Sequence, residues 1–306
     1  MDSPFAVLGN ICIDDLVFED GTTLWGVPGG NAVYAGLGIA VWGDRPVVVA
    51  PVGPEYPTQL LGDRVDLSHC RPLDRTLRDW GLYEEGGTRT FVFRSKTRNW
   101  REFSPTLADL ESLIADHAHI APMPTQLQID FAQALRQGGV KLISVDVDDH
   151  ELGPVTVREE SEWRAFLANV DLFLPSRQDV ETLLPGKSPS DALRMLRKMA
   201  PDTRVIAVKQ GADGVIVHAA GDRHFYSLPS IAETVVDATG AGDAFSGGAI
   251  AGYAATGSAL DAALWGSVSA SFALASSGPA ALVEATHEEA LSRLARLRPL
   301  AKTYEL

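Results

Sequence analysis

The sequence has little cysteine and no long apolar run. Cys12 and Cys70 are the only two cysteines among 306 residues, which argues against a disulfide framework and favours a reducing compartment. Segment 244–257 is apolar, but it is rich in glycine and alanine and falls short of membrane-spanning length. The opening stretch MDSPFAVLGNICIDD has no basic group before its apolar part, unlike a signal peptide. We therefore expect a cytoplasmic protein that does not enter a membrane.

Basic residues are also scarce relative to acidic ones. The chain has 26 Lys and Arg against 40 Asp and Glu, a net charge of −14. Such a surface argues against nucleic acid or an anionic membrane as a partner. It does not exclude a phosphorylated ligand, because backbone amides can hold phosphate locally. We expect the partner to be a small molecule.

Short apolar strands alternate with helical segments through most of the chain. This order predicts an α/β fold in which a mainly parallel sheet is covered by helices on both faces, and we expect one domain over residues 1–306. Asn31 is predicted to cap the first helix. The predicted strands are 5–13, 46–52, 119–121, 140–146, 171–174 and 204–208, and the predicted helices are 106–116, 124–137, 159–169, 177–184, 190–199, 241–256, 259–276 and 286–297.

Two hairpins interrupt this alternation. One is predicted from 80–84 and 88–94, where period-2 patterning flanks Gly86-Gly87. It follows a strand-helix-strand start, so we expect it to stand away from the main sheet. The other is predicted from 214–218 and 223–227, with its turn at Gly221-Asp222.

The stretch VVDATGAGDAFSGG, residues 235–248, carries the strongest chemical signal. Gly240 and Gly242 allow the backbone to approach a ligand, and the unpaired amides of a helix start form an anion site. Asp243 at this position is either a helix cap or a base that removes a proton from a hydroxyl beside a bound phosphate. The local sequence leaves both interpretations open.

Other phosphate and metal motifs do not fit. Gly240-Ala241-Gly242 is followed by Asp-Ala-Phe, so the third glycine of a dinucleotide fingerprint is missing. The chain lacks the complete P-loop pattern G-x-x-x-x-G-K-S/T, since Glu181 stands where Gly186-Lys187-Ser188 would need the first glycine. His117 and His119 lack acidic or cysteine partners at metal-ligand spacing, and His119 is expected in a buried strand.

DATGAGDAFSGG resembles the C-terminal signature of the ribokinase-like (PfkB) carbohydrate kinases, usually D-T-x-G-A-G-D-x-F. GNICID, VPGGNAVYAG and VKQGADG resemble further motifs of that family and occur in its order. The resemblance implies a ribokinase-like three-layer sandwich with a small β lid from about 14–28 and 80–103. It also implies transfer of phosphate from ATP, with Mg²⁺, to a hydroxyl of a small sugar or polyol.

The resemblance assigns roles to individual residues. Asp243 would be the catalytic base, and the amides of Gly240, Ala241 and Gly242 would form the anion hole. The acceptor would contact Asp14, Gly29, Gly30, Asn31 and, from the basic run on the lid, Arg89. The nucleotide would lie near Lys209, Gly211, Gly214 and Ser267, with Mg²⁺ held through water by Asp179 and, as in some relatives, a monovalent cation such as K⁺ near Asp237.

Three positions depart from the family pattern. The usual Asn-x-x-Glu is Ser176-Arg177-Gln178-Asp179, an Asn near the adenine is replaced by Ser267, and D-x-N-x-R becomes Asp146 to His150. The altered Ser176 and Asp148 keep open a non-catalytic relative that binds a sugar or nucleotide. The Gly-Gly-Asn-Ala-x-Tyr start at 29–34, which differs from the longer loop common in ribokinases, keeps open a nucleoside or inositol kinase of the same family. An oxidoreductase is disfavoured by the missing glycine. The resemblance also allows a homodimer that pairs through the lid.

Overall fold

The fold was obtained as a computed structural model, which describes residues 4–84, 89–94, 100–147 and 160–306. Within these ranges the chain forms a nine-stranded sheet, a four-stranded sheet and a two-stranded sheet, with helices packed on the largest one. None of the helices in the described ranges is both long enough and apolar enough to span a bilayer.

The nine-stranded sheet is the centre of the fold. In spatial order, the strands from Val47–Val49 at one edge to Val205–Lys209 are all parallel to their neighbours, and the last three strands at the other edge are antiparallel. In spatial order it contains β15 (Lys302–Glu305), β14 (His224–Leu228), β13 (Val215–Ala219), β12 (Val205–Lys209), β11 (Leu172–Phe173), β10 (Leu142–Val145), β9 (His117–Ile120), β1 (Phe5–Leu8) and β4 (Val47–Val49).

Two hydrophobic cores lie on opposite faces of this sheet. Phe5 and Val7 of β1 belong to one core, whereas Ala6 and Leu8 belong to the other, as the period-2 geometry of a strand requires. The first core packs α1 (Asn31–Ala40), α6 (Ala241–Thr256), α7 (Ala259–Ala273), α8 (Ala280–Glu284) and α9 (His287–Leu297), and the second packs α2 (Thr125–Gln137), α3 (Glu160–Leu167), α4 (Arg177–Leu183) and α5 (Pro189–Met199). The predicted α/β three-layer fold is therefore confirmed.

Helices α1 and α6 pack with their backbones in contact. A Cβ added to Gly38 of α1 would lie 2.3 Å from the carbonyl oxygen of Ala244, and one added to Gly247 of α6 would lie 1.9 Å from that of Ala35. Only glycine fits at such distances. Residues Gly240 to Asp243 form what we call the GAGD turn. The helix that begins at this turn is therefore fixed against the helix that follows Gly29-Gly30.

The four-stranded sheet contains the segments predicted for the lid. It runs in the order β3 (Thr23–Gly29), β2 (Cys12–Val17), β7 (Leu77–Tyr83) and β8 (Arg89–Phe93). The chain leaves the central sheet after β1 and enters this second sheet at Cys12, so the predicted strand 5–13 is in fact two strands in two sheets. The antiparallel pairing of β7 with β8 and of β13 with β14 confirms both predicted hairpins.

Two local predictions are wrong. The helix expected at 106–116 is a single 3₁₀ turn, Leu107–Leu110, because Glu111 leaves the helical region at ψ 130 and Ser112 adopts φ 66. Asn31 does not cap α1, since Gly30 is the N-cap residue. The side chain of Asn31 instead accepts a hydrogen bond from the Asn10 amide at 2.7 Å and donates one to the Pro122 carbonyl at 2.8 Å.

The remaining short elements lie outside the two larger sheets. They are β5 (Pro51–Val52), β6 (Arg71–Pro72) and 3₁₀ turns at Thr58–Leu61, Trp100–Phe103, Gly211–Asp213 and Arg298–Leu300. The sequence patterns did not predict β3 or β15. The interpretation of the whole chain as one domain with a lid stays a prediction.

Candidate active site

The GAGD turn joins a loop to the first turn of α6. Gly240 is the N-cap residue in the left-handed region at φ 73, and a Cβ there would lie 2.2 Å from the ring of Tyr34. The turn therefore requires glycine for two separate reasons, conformation and space. Because the first amides of a helix have no partner within it, the turn presents donors and positive potential to a ligand. The Ala241 amide makes a long hydrogen bond of 3.4 Å to the Ala238 carbonyl.

Asp243 is partly buried in the first turn of α6. Its charge contributes to raising the pKa of the Cys12 thiol on the lid sheet, so the carboxylate lies within electrostatic range of that sheet. A reciprocal capping box like the one between Ser176 and Asp179 is excluded here, since Gly240 has no side chain. The role of Asp243 as the catalytic base stays a prediction.

Lys209 places a positive charge beside the GAGD turn. It ends β12, its ammonium group pairs with the carboxylate of Asp146, and a Cβ on Gly242 would lie 3.5 Å from its Nζ. Ser246 of α6 donates a hydrogen bond of 3.1 Å to the same Asp146 carboxylate. A lysine held in this way can neutralise charge on a phosphate at the turn.

Asp179 lies in the same group of buried polar side chains. Burial, followed by the charge of Asp146, raises its pKa to about 7, while Lys209 and the hydrogen bonds of Ser176 act in the opposite direction. One carboxylate oxygen accepts from the Ser176 amide at 2.5 Å, and the Asp179 amide donates to the Ser176 hydroxyl at 3.1 Å. Asp179 is therefore also a structural cap for α4, the alternative role expected of a first-turn helix acid.

The predicted strand-turn at 209–214 is present. Gly211 and Gly214 adopt φ 61 and φ 90, and a Cβ on Gly214 would lie 1.9 Å from the Leu228 carbonyl oxygen. An ion pair of 2.5 Å between Arg177 and Asp213 joins this turn to the start of α4. The turn thus has a fixed shape next to Lys209.

The predicted acceptor residues meet where the lid sheet joins α1. Asp14 is buried on β2, and a Cβ on Gly29 would lie 2.3 Å from its Oδ2. Gly30 adopts φ 113, and a Cβ there would lie 2.4 Å from the Asn10 carbonyl oxygen. The pKa of Tyr34 is raised well above its usual value by burial and then by the charges of Asp14 and Asp237. Tyr34 therefore lies between the predicted acceptor-binding residues and the GAGD turn.

Asp237, just before the GAGD turn, is hydrogen-bonded to the lid sheet. Its Oδ1 accepts hydrogen bonds from the Tyr83 hydroxyl at 2.5 Å and the Thr239 amide at 2.8 Å. Its Oδ2 is buried and has no hydrogen-bond partner among the described residues. The sequence did not predict the Tyr83 contact, because 154 positions separate the two residues.

Two arginines of the lid sheet are paired within it. Arg78 and Arg94 both form ion pairs with Asp15, which is fully buried, and Arg94 also lies over the Trp80 ring at 5.2 Å. Arg94 is therefore engaged in holding β8 against β2 and β7. Arg89 begins β8 opposite Tyr83, but its side chain lies outside the described part of the structure, as do Asp148 and His150.

Two further predicted residues have structural surroundings rather than an evident ligand site. Ser267 is partly exposed on α7, next to Gly266, whose Cβ position lies 2.9 Å from the Phe245 ring. Both ends of the Asn31 amide bond to backbone groups, as described above. The roles of Ser267 toward adenine and of Asn31 toward the acceptor stay predictions.

Two grooves flank this constellation. One of about 410 Å³ lies beside the start of α4 and is lined by Arg177, Val208 and Gln210, among others. The other, of about 800 Å³, lies between the β2–β3 turn, Tyr83 and Val236. Neither groove is lined by Asp14 or Asp243.

Comparison with known proteins agrees with this arrangement. The chain is 27% identical to a cytidine kinase of Thermococcus kodakarensis over 251 residues, which cover 81% of this chain and 87% of that protein. The fold resembles Arabidopsis thaliana ribokinase complexed with ribose and ATP (TM-score 0.72, 20% identity, 96% and 99% of the two chains). It also resembles a Burkholderia thailandensis nucleoside kinase in complex with inosine (TM-score 0.73, 17% identity, 99% and 100%).

The family assignment rests on the extent of the match as well as on the motifs. The model of the pfkB family of carbohydrate kinases matches residues 9–286, a range that contains the lid sheet, the 209–214 turn and the GAGD turn. The protein is thus a phosphotransferase with a sugar or other alcohol as acceptor, and the chain belongs to the pfkB carbohydrate kinase family.

Proposed function

We propose that the protein transfers the γ-phosphoryl group of ATP to a hydroxyl group of a small sugar or polyol, with Asp243 as the base. The observation that carries this proposal is the meeting of three features: the GAGD turn at a helix start, Lys209 beside it, and Asp14 with Gly29-Gly30 across from it. An anion site, a carboxylate and a polar acceptor site in one place are what phosphoryl transfer to an alcohol requires.

The chemistry divides among these groups. Asp14 accepts hydrogen bonds from the acceptor and orients it toward the turn. Asp243 takes the proton of the attacking hydroxyl, whose oxygen forms the new bond to phosphorus while the bond between that phosphorus and the β,γ-bridging oxygen of ATP breaks. The amides of Gly240, Ala241 and Gly242, together with Lys209, stabilise the negative charge on the transferred group. ADP leaves with the electron pair of the broken bond.

Mg²⁺ fits the residues at the end of the parallel strands. The carboxylates of Asp146 and Asp179 supply the oxygen donors that Mg²⁺ prefers, and both already have protein partners, so contact through water suits them. When bound with ATP, the ion neutralises phosphate charge. Burial and the charge of Asp146 raise the pKa of Asp179 despite the nearby Lys209, so a further cation there would stabilise its ionised form.

Asp237 is our candidate for a monovalent-cation contact. Its buried Oδ2 has no partner among the described residues, and a buried carboxylate oxygen without a hydrogen bond or counter-ion is costly. A cation such as K⁺ there would satisfy the oxygen and strengthen the positive potential at the turn. A homodimer formed through the lid and a cytoplasmic location remain part of the proposal.

A nucleoside is the second candidate acceptor. The cytidine kinase similarity extends over 81% of the chain, which favours this class over inositol. Both candidates use the same residues, because a nucleoside presents its ribose hydroxyls to the site.

The test is release of ADP from Mg-ATP across a panel of sugars, polyols and nucleosides, with Asp243→Asn as the key variant. We expect turnover with one class of acceptor and a loss in kcat of about 10²–10⁴-fold in the variant while ATP still binds. Asp261→Asn is a matched control, since Asp261 occupies the same first-turn position in α7, capped by Ser258, and only its structural role is lost. Binding without any turnover would instead support the non-catalytic alternative.

A further inference from the structure

We propose that Asp79 is a second carboxylate contact for the acceptor and that, together with Asp14, it selects a substrate with two adjacent neutral hydroxyl groups. This inference rests on the proposed kinase function and names the substrate class of the same site. Asp79 lies on β7 directly beside Asp14 of β2, in parallel register. Neighbouring residues on parallel strands point to the same face of a sheet, so the two carboxylates face the acceptor together.

The two carboxylates belong to a compact buried cluster. One ligand atom each of Cys12, Asp14 and Asp79 lies within 4.8 Å of the other two. The Cys12 thiol donates a hydrogen bond of 3.2 Å to Asp14 Oδ1. Gly29, across from Cys12 on β3, approaches the other oxygen of Asp14. Asp14 is therefore surrounded by protein groups, whereas Asp79 is not satisfied in the same way.

Asp79 is only 8% exposed, and its Oδ1 is buried with no hydrogen-bond partner in the described part of the chain. Burial, and then the charge of Asp14, raises its pKa to about 7. The lid cations Arg78 and Arg94 bind Asp15 instead. An unpaired buried carboxyl group beside a second one destabilises a fold, so its presence is best explained by a ligand that supplies the missing donor.

Hydroxyl groups suit this site better than charged groups do. Each hydroxyl can donate one hydrogen bond to a carboxylate, and adjacent hydroxyls on one molecule can reach two carboxylates held side by side. An anionic group at the same place would be repelled by Asp14 and Asp79. Zn²⁺ bound by Cys12, Asp14 and Asp79 is the competing occupant of this cluster, and the kinetic test separates it from a hydroxyl-bearing acceptor.

The experiment combines Asp79→Asn with acceptors that lack one hydroxyl. Steady-state kinetics would compare cytidine with 2′-deoxycytidine and 3′-deoxycytidine, and D-ribose with 2-deoxy-D-ribose. For the accepted ribose-containing compound we expect KM to rise about tenfold or more in Asp79→Asn, as for loss of a charged hydrogen bond, with kcat and the KM for ATP changed by less than about twofold. Asp20→Asn, in the exposed β2–β3 turn, is the matched control and should leave every constant unchanged.

The hydroxyl deletions make the assignment specific. If Asp79 binds a hydroxyl, the variant should show no further loss with the analogue that lacks it, because the two changes remove one interaction. A structural role predicts equal losses with all acceptors and a lower melting temperature, and this result would overturn the proposal. So would an unchanged KM, or tight Zn²⁺ binding that Asp79→Asn abolishes without any effect on acceptor KM.

Failure of the kinase function itself would look different. In that case no compound is turned over by the wild type, and calorimetric binding of cytidine and D-ribose decides the role of Asp79. The contact is supported if Asp79→Asn binds cytidine or D-ribose more weakly than the wild type does, and if this difference disappears with the deoxy analogues. Equal binding to both proteins, or no binding to the wild type, refutes it.

Discussion

The hydroxyl group of Tyr83, on a strand of the lid sheet, donates a hydrogen bond of 2.5 Å to Asp237, just before the GAGD turn. The same hydroxyl lies 2.6 Å from the side-chain oxygen of Thr239, and the Tyr83 ring lies 5.0 Å from that of Phe18. The Tyr83 hydroxyl therefore attaches the lid sheet to the segment before the GAGD turn through Asp237 and Thr239. Lid position and the geometry of the turn are coupled at this point.

Replacing Tyr83 with phenylalanine should loosen this attachment. The ring remains against Phe18, but Asp237 loses its donor from the lid, so water gains access to the site. We expect more ADP than phosphorylated product, where the wild type forms them in equal amounts. The ratio of the two products, measured in one assay, reports this directly.

Tyr304→Phe is the control for that variant, because Tyr304 is 46% exposed on β15 and lies far along the sheet from the lid. It should keep the two products equal. Equal amounts in Tyr83→Phe as well would show that the contact does not govern lid closure.

Gly240→Ala should be much more destabilising than Gly257→Ala. Both glycines adopt positive φ, 73 and 69, at opposite ends of α6. Alanine at 257 meets no atom within 4 Å, so only the backbone strain of about 1–2 kcal/mol applies, whereas alanine at 240 also meets the Tyr34 ring. Urea denaturation of both variants measures the difference, and similar losses would mean that Tyr34 moves aside freely.

Asp146→Asn and Lys209→Met should both impair use of ATP, and their effects should not add. Asn at 146 leaves the buried lysine without its counter-ion, and Met at 209 removes the charge beside Gly242. We expect kcat/KM for ATP to fall about 10–100-fold in each, as for loss of a charged contact to the transferred group. A double-mutant cycle tests the coupling, and strictly additive losses would show that Asp146 does not position Lys209.

The free energy of unfolding should depend on pH through Asp79. Its pKa is raised to about 7, so the folded state binds a proton that the unfolded state releases near pH 4. Since the folded state then holds more protons between these values, stability falls as pH rises from about 4 to about 7, by up to about 4 kcal/mol. Asp79→Asn removes this contribution, and its stability relative to wild type should increase over the same window.

The wild type must be compared with Asp79→Asn because His119 changes the free energy of unfolding with pH in the opposite direction. Its pKa is lowered to about 3, mainly by burial, so its contribution is lost as pH falls below its unfolded value of about 6.5. That contribution is common to wild type and Asp79→Asn and cancels in the difference. Urea denaturation at about pH 5 and about pH 8 measures this difference, and a value that does not change with pH would contradict the assignment.

Local patterns predicted the parts of the site that depend on nearby residues. The turn before α6 follows from its glycines, and both hairpins follow from turn residues between alternating strands. Asp79 and Tyr83 were not predicted as site residues, because their partners are supplied by other strands and by a turn more than 150 positions away. No local pattern carries that information.

The errors have a similar origin. Thr106 and Asp109 form a capping box that starts a helical turn, so the local pattern predicts the start of a helix but not its end one turn later. Asn31 has the residue type of a cap, yet its amide is used to tie the ends of β1 and β9 to α1. At Asn31 tertiary hydrogen bonds override the local preference.

The glycine contacts between α1 and α6 have a consequence for how substrate preference can change. Gly30 and Gly240 are the N-cap residues of two helices that touch backbone to backbone, so the spacing between the acceptor site and the GAGD turn cannot change without breaking the core. The lid sheet, in contrast, supplies Asp14 from β2 and Asp79 and Tyr83 from β7, outside the central sheet. Under the proposed function, substitutions in the lid sheet can therefore change the acceptor while the geometry of phosphoryl transfer is kept.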